Sequence, residues 1–272
     1  MILAIVILFL ICLYLFLIFP RVFNRVDRTP FLGRDYAHRG LFDNNSDAPE
    51  NSLKAIKKAV DAGYGIEFDV QLSKDDIPVV FHDASLKRMC GIDDKVWNYT
   101  LEELQQMKLA DSEETIPTFE KVLETVGGKV PLIIEYKMDR PDTKVCEIGH
   151  QLLEKYNGTY CVESFHPLAV KWYKKNRPEI MRGQLCEEYW KHGNKLPKPL
   201  TYLLGYLLTN FMARPDFVAY KHTDAKNLSR RLCTVFGALP VCYTVKNQAE
   251  YEEAKKHFKI LIFDSFIPNS FR

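Results

Sequence analysis

The residues able to do chemistry in this 272-residue sequence are carboxylates, imidazoles and two cations set at the ends of apolar runs. Glu67-Phe68-Asp69 places two carboxylates at i and i+2, so in an extended segment both project from one face. Two like charges on one face of an otherwise apolar strand are costly unless a cation lies between them. Glu135 offers a third carboxylate from another run, and no Cys/His ligand cluster lies nearby. Three oxygen donors of this kind suit one hard divalent cation, Mg2+ or Ca2+, better than zinc. The alternative for Glu67 and Asp69 is a solvated strand end paired with Lys or Arg. His38 and His82 exchange protons near neutral pH, the range wanted for general acid and base work. A lone histidine at a strand end is also commonly structural. Arg39 gives a planar fork and Lys137 a point charge, and both suit a phosphate.

These residues need a scaffold that gathers strand ends. Short β-rich runs at 36–38, 66–72, 78–82, 131–136, 160–164, 180–185, 217–220, 240–244 and 260–263 alternate with helical patterns at 52–62, 101–107, 143–156, 168–176 and 248–257. Such alternation points to βα units and a parallel sheet. Only 73–77 separates the second and third runs, too short for a parallel crossover, so those two form a hairpin or excursion. Eight parallel strands remain, in about 250 residues, which favours a TIM-type (β/α)8 barrel with a small insertion over an open doubly wound sheet. In a barrel, chemistry sits at the strand C-termini, where the residues above fall.

The run from Ala37 to Asp83 resembles the opening block of the glycerophosphodiester phosphodiesterase family: His38-Arg39, Pro49-Glu50-Asn51-Ser52, Glu67-x-Asp69, then His82-Asp83. The likeness continues through Ile134-Glu135-Tyr136-Lys137 and Glu163-Ser164-Phe165. It implies a TIM-type barrel and metal-dependent hydrolysis of glycerophosphodiesters to an alcohol and glycerol 3-phosphate. In that reading His38 and His82 are the acid/base pair, and Glu67, Asp69 and Glu135 hold one divalent cation. Arg39 and Lys137 would contact phosphate, and Asn51 would sit beside metal or phosphate. Tyr243-Thr244-Val245-Lys246 stands where the family has Trp-Thr-Val-Asn, so Tyr243 replaces a larger aromatic wall of the substrate site. The closing Thr-Asp-x-Pro element is likewise altered, to Phe263-Asp264-Ser265-Phe266-Ile267-Pro268.

Composition bounds the rest. A formal charge of +2 removes the basic footprint of a nucleic-acid binder. Met1 to Pro20 is uncharged and nearly all apolar, without a basic leader or small-residue cleavage site, and reads as an uncleaved transmembrane anchor (1–20). Arg21, Arg25 and Arg28 follow it in a short linker (21–34), which places the barrel (35–272) in the cytoplasm by the positive-inside rule. Seven scattered cysteines agree with a reducing compartment. Residues 200–213, preceded by Lys191, Lys195 and Lys198, are uncharged and too short to span. They form either a helix packed on the barrel or an interfacial helix that brings the site to lipid. The second case makes a lysophospholipid substrate, and lysophospholipase D-type activity, the alternative reading. A catalytically silent, membrane-anchored binding barrel is a third.

Overall fold

The computed structural model describes residues 1–138, 142–193 and 196–269; Lys195 and the last three residues of the expected barrel lie outside them. Its strands are β1 (Tyr36–His38), β2 (Gly65–Leu72), β3 (Pro78–Val80), β4 (Leu132–Tyr136), β5 (Tyr160–Ser164), β6 (Arg182–Cys186), β7 (Phe217–Lys221), β8 (Leu239–Val245) and β9 (Ile260–Phe263). The helices up to β5 are α1 (Ile2–Ile18), α2 (Leu53–Asp61), α3 (Lys87–Cys90), α4 (Leu101–Leu104), α5 (Phe119–Val126) and α6 (Lys144–Leu153). After it come α7 (Pro167–Asn176), α8 (Lys198–Gly205), α9 (Asn210–Ala213), α10 (Leu228–Val235) and α11 (Gln248–Lys255).

Strand β1 pairs in parallel with both β2 and β9, so eight parallel strands close on themselves. The ninth strand, β3, runs antiparallel to the overhanging end of β2, with Val70 opposite Val80. That is the expected hairpin, and it opens an insertion with its own small core around Phe81, Leu86, Met89, Leu104 and Ile116. The expected helix at 101–107 ends at Leu104. Of the helices outside the expected patterns, α5 and α10 start on the side-chain caps of Thr118 and Asn227.

Alternation along the strands divides two environments. On β2, Ile66, Phe68 and Val70 join the outer core with Ile56 of α2 and Phe119 of α5. The opposite face, from Gly65 through Glu67 and Asp69, looks into the barrel. The lower interior is apolar: Tyr36, Ile133, Met181, Phe217, Val241 and Ile262 form one cluster. Two glycines make room there. A Cβ on Gly65 would lie 2.5 Å from the Tyr36 ring, and one on Gly183 2.0 Å from the Phe217 ring.

The N-terminal expectations are corrected in part. Helix α1 stops at Ile18 because Phe19 is extended and Pro20 follows. Its 17 residues measure about 26 Å, short of the roughly 30 Å hydrocarbon core. Among the described residues no helix is long and apolar enough to cross a membrane. The linker is held down rather than free, with Arg21 donating to the Pro178 carbonyl, Arg25 to Phe236 and Arg28 to Gly237. Residues 200–213 form two helices, not one, because Leu207 takes a left-handed φ of 57° between them. Leu203 is 39% exposed while Leu207 is fully buried, so the two do not share a surface.

Candidate active site

The site is built at the C-terminal rim, where β1, β2, β4 and β9 deliver their last side chains. After His38, Arg39 and Asn51 both adopt left-handed φ, 56° and 60°. The Asn51 amide donates to the Arg39 carbonyl (3.0 Å), and the Arg39 amide donates to the Glu67 carbonyl (2.7 Å). This strained pair aims both side chains at Asp69. Gly40 is forced by the same turn, since a Cβ there would meet the Ala55 backbone at 2.6 Å.

Glu67, Asp69 and Glu135 are buried and each offers an oxygen within 4.8 Å of the others. Burial, with Asp69 and Glu135 beside it, pushes Glu67 well above the usual carboxylate range. Glu135 is raised to about 7, burial outweighing Lys137. Burial would raise Asp69 too, but Lys137, His82 and Arg39 together hold it well below. Lys137 Nζ lies 2.9 Å from Asp69 Oδ1 and 2.7 Å from Glu135 Oε2. Arg39 Nε is 3.4 Å from Asp69 Oδ2, and Asn51 Nδ2 donates to the same oxygen at 3.0 Å. One lysine and one shared arginine leave Glu67 without a full counter-charge. A set of all-oxygen donors converging on one point fits a hard divalent cation.

The imidazoles flank the carboxylates. His38 Nδ1 lies 2.8 Å from Asp264 Oδ2, and its Nε2 turns to Glu67 Oε2 at 3.8 Å. Burial and the Arg39 charge lower His38 to about 4, with Asp264 opposing. His82 Nδ1 lies 2.5 Å from Asp83 Oδ1, and burial lowers it too, against the pull of Asp69. Asp83 is gripped by Arg88, which also forks onto Glu50 at 2.7 Å, and Glu50 receives Arg39 at 2.6 Å. Burial disfavours the Glu50 charge, but Arg88 and Arg39 bring it down to about 2. Each histidine therefore has its Nδ1 fixed by a carboxylate.

All nine expected residues lie at this rim. Tyr243 stands at its edge, its hydroxyl donating to the Cys186 carbonyl (2.9 Å) and its ring edge-on to Phe165. Phe165 in turn lies under Lys137 Nζ at 6.0 Å. Several contributors were not singled out from sequence. Asp264, Arg88 and Glu50 orient others and carry no spacing signal of their own. Glu163 is opposite Glu135 in the β4–β5 ladder, buried and raised well above its ordinary value by burial and Glu135. Its strand position matched that of Glu135, the one signal available.

Two imidazoles, an arginine and a lysine around a carboxylate cluster at the rim of a (β/α)8 barrel are the groups that a phosphodiester hydrolase uses. Residues 38–262 match the glycerophosphoryl diester phosphodiesterase family, and the chain belongs to it. A Bacillus subtilis protein provisionally named glycerophosphodiester phosphodiesterase YhdW is 35% identical over 78% of this chain and 86% of its own. A rat lysophospholipase D is 25% identical over 75% of this chain and 64% of its own. Among solved structures, an Oleispira antarctica phosphodiesterase in complex with the product sn-glycerol-3-phosphate superposes with a TM-score of 0.68. It is 23% identical and covers 86% of this chain and 93% of its own. The Thermotoga maritima glycerophosphodiester phosphodiesterase gives 0.64 at 25% identity, over 85% and 93%.

Proposed function

We propose that this protein hydrolyses glycerophosphodiesters to an alcohol and glycerol 3-phosphate, using His38 and His82 as its acid/base pair and one divalent cation, Mg2+ or Ca2+, held by Glu67, Asp69 and Glu135. The observation that carries the reading is the buried carboxylate triad flanked by two imidazoles, each anchored through Nδ1 to a carboxylate. A bound cation would neutralise the triad and offset charge that develops on the phosphoryl oxygens. The chain's own side chains do the remaining work. Arg39 and Lys137 hold the phosphate oxygens, and Asn51 fixes Asp69. His38, whose Nε2 faces the triad, takes the proton of the attacking hydroxyl there. His82 delivers a proton to the departing alkoxide, and Tyr243 forms an aromatic wall of the substrate site. The product complex of the Oleispira antarctica relative supports the substrate class. Membership of a hydrolase family weighs against a silent binding barrel.

The test is product release from glycerophosphocholine by wild type, His38→Ala and Glu67→Gln. Activity that both variants retain in full would contradict these roles.

Attachment to a membrane is the second part of the reading. The exposed apolar helix Ile2–Leu13 supports it, and Arg21, Arg25 and Arg28 support a cytoplasmic barrel. Sedimentation with membranes and protease protection of the barrel check the two halves separately.

A further inference from the structure

The barrel end at which the strands begin, opposite the active-site rim, carries a second charged cavity that hydrolysis does not use. It has a volume of about 400 Å³ and opens between the segment after α1, the end of α7 and the starts of β6 and β7. Four cations line it: Arg21, Lys174, Arg182 and Arg214. Among the described residues that line it there is no carboxylate. A space of this size accommodates a small ligand.

The partners of the four cations leave their charges unmatched. Arg182 is 3% exposed, and it donates from Nε to the Ala213 carbonyl (3.1 Å) and from Nη2 to the Arg214 carbonyl (3.1 Å). Its Nη1 is buried without a hydrogen bond, and Asp216 Oδ2 lies 3.6 Å from it. Arg21 Nη1 is 3.5 Å from the other oxygen of the same carboxylate. Asp216 is thus shared by two arginines and hydrogen-bonded to neither guanidinium.

Lys174 and Arg214 turn to backbone carbonyls. Lys174 Nζ donates to Met212 (3.0 Å), and Arg214 Nη1 donates to Phe16 and Phe19 at the end of α1 (2.7 and 2.8 Å). A carbonyl satisfies a donor without cancelling its charge. Burial, followed by Arg214, Arg182 and Lys171, accordingly pulls the Lys174 ammonium below its ordinary value. Arg214 also holds a left-handed φ of 46°, a strained conformation for arginine. A cluster that only clamped the linker to the barrel would match its charges, and this one does not.

We propose that the cavity binds a phosphate monoester dianion, held by Lys174 and the buried fork of Arg182 with Arg21 and Arg214 around it. Guanidinium and ammonium donors suit the oxygens of such a group, and its charge supplies what Asp216 lacks. Arg21 and Arg214 hold the end of α1 while Arg182 and Lys174 belong to the barrel, so a bound anion ties the two together. The phosphate comes either from a dissolved metabolite or from the head group of an anionic lipid. Neither source depends on the hydrolysis reading.

The test is titration calorimetry of inorganic phosphate into the full chain, in EDTA so that no cation bridges phosphate to the carboxylate triad. Wild type and Lys137→Met, which removes a cation of the active site, should give the same saturable isotherm. Lys174→Met keeps the aliphatic stem and loses the charge, and should bind at least about tenfold more weakly. Arg21→Met repeats the comparison should Lys174→Met fail to fold. Pelleting with phosphatidylcholine vesicles, with and without phosphatidate, separates the sources. A gain with phosphatidate that Lys174→Met abolishes supports a lipid head group, and phosphate binding without that gain supports a dissolved ligand. Phosphate binding that falls in Lys137→Met and not in Lys174→Met would overturn the site, because the anion would then sit at the catalytic rim. No phosphate binding by the wild type, together with pelleting indifferent to phosphatidate, would overturn it as well.

Discussion

Asp264, just past the last strand, lies with Oδ2 2.8 Å from Nδ1 of His38, the last residue of the first strand, so the closure of the barrel also sets the orientation of an active-site imidazole. Because Nδ1 faces a carboxylate, it carries the proton, and Nε2 presents its lone pair toward the triad.

Asp264→Asn should therefore lower kcat by about 10²- to 10⁴-fold with little change in KM, since an amide nitrogen there favours the wrong tautomer. Steady-state kinetics on a folded variant checks this. An unchanged kcat would mean that the contact is only structural.

Cation binding should be accompanied by proton release near pH 6. Glu67 and Glu135 both sit above their ordinary values, Glu135 near 7, so they hold protons that a cation must displace. Titration calorimetry in buffers of different ionisation enthalpy measures the release, and Glu67→Gln should reduce it.

The same shift fixes a stability trend without metal. A carboxyl raised in the folded state stabilises fully below its unfolded value of 4.5, and that contribution is lost as pH rises toward 7. Relative to Glu135→Gln, wild type in EDTA should lose stability over that interval, as read by urea unfolding at each pH. His38 contributes the opposite slope between about 4 and 6.5, so the comparison with Glu135→Gln is needed to isolate the carboxyl.

Arg88→Ala should cost about 1–2 kcal/mol, a modest figure because the side chain is half exposed. The loss frees Asp83 from its clamp and leaves buried Glu50 with Arg39 as its remaining arginine, so thermal unfolding and His82-dependent turnover should both suffer.

Gly183→Ala should destabilise by about 1–3 kcal/mol through overpacking against the Phe217 ring, 2.0 Å from the new methyl carbon. Pairing it with Phe217→Leu should recover part of the loss.

Much of the site was legible because its residues announce themselves locally. The i, i+2 spacing of Glu67 and Asp69 needs only strand geometry, and the short 73–77 connection alone separates β3 from the parallel set. Asp264 was not, because its partner lies 226 residues away and meets it only when the ring closes. Arg88 sits in the insertion, where no period links it to Glu50. Hydropathy marks Met1–Pro20 as one apolar span and cannot show that Tyr14 to Ile18 are taken up by packing on α9 and α10. Leu203 and Leu207 look equivalent in a continuous helix, and a single left-handed residue separates their fates.

The most direct test of the central claim is cation-dependent release of choline from glycerophosphocholine, measured after EDTA treatment and after add-back of Mg2+ or Ca2+. Wild type should lose activity in EDTA and regain it with one of the two ions, while Glu67→Gln and His38→Ala stay at least about 10²-fold below it under both conditions. Full activity in EDTA, or variants that match wild type after add-back, would contradict the assignment of the triad and the imidazole.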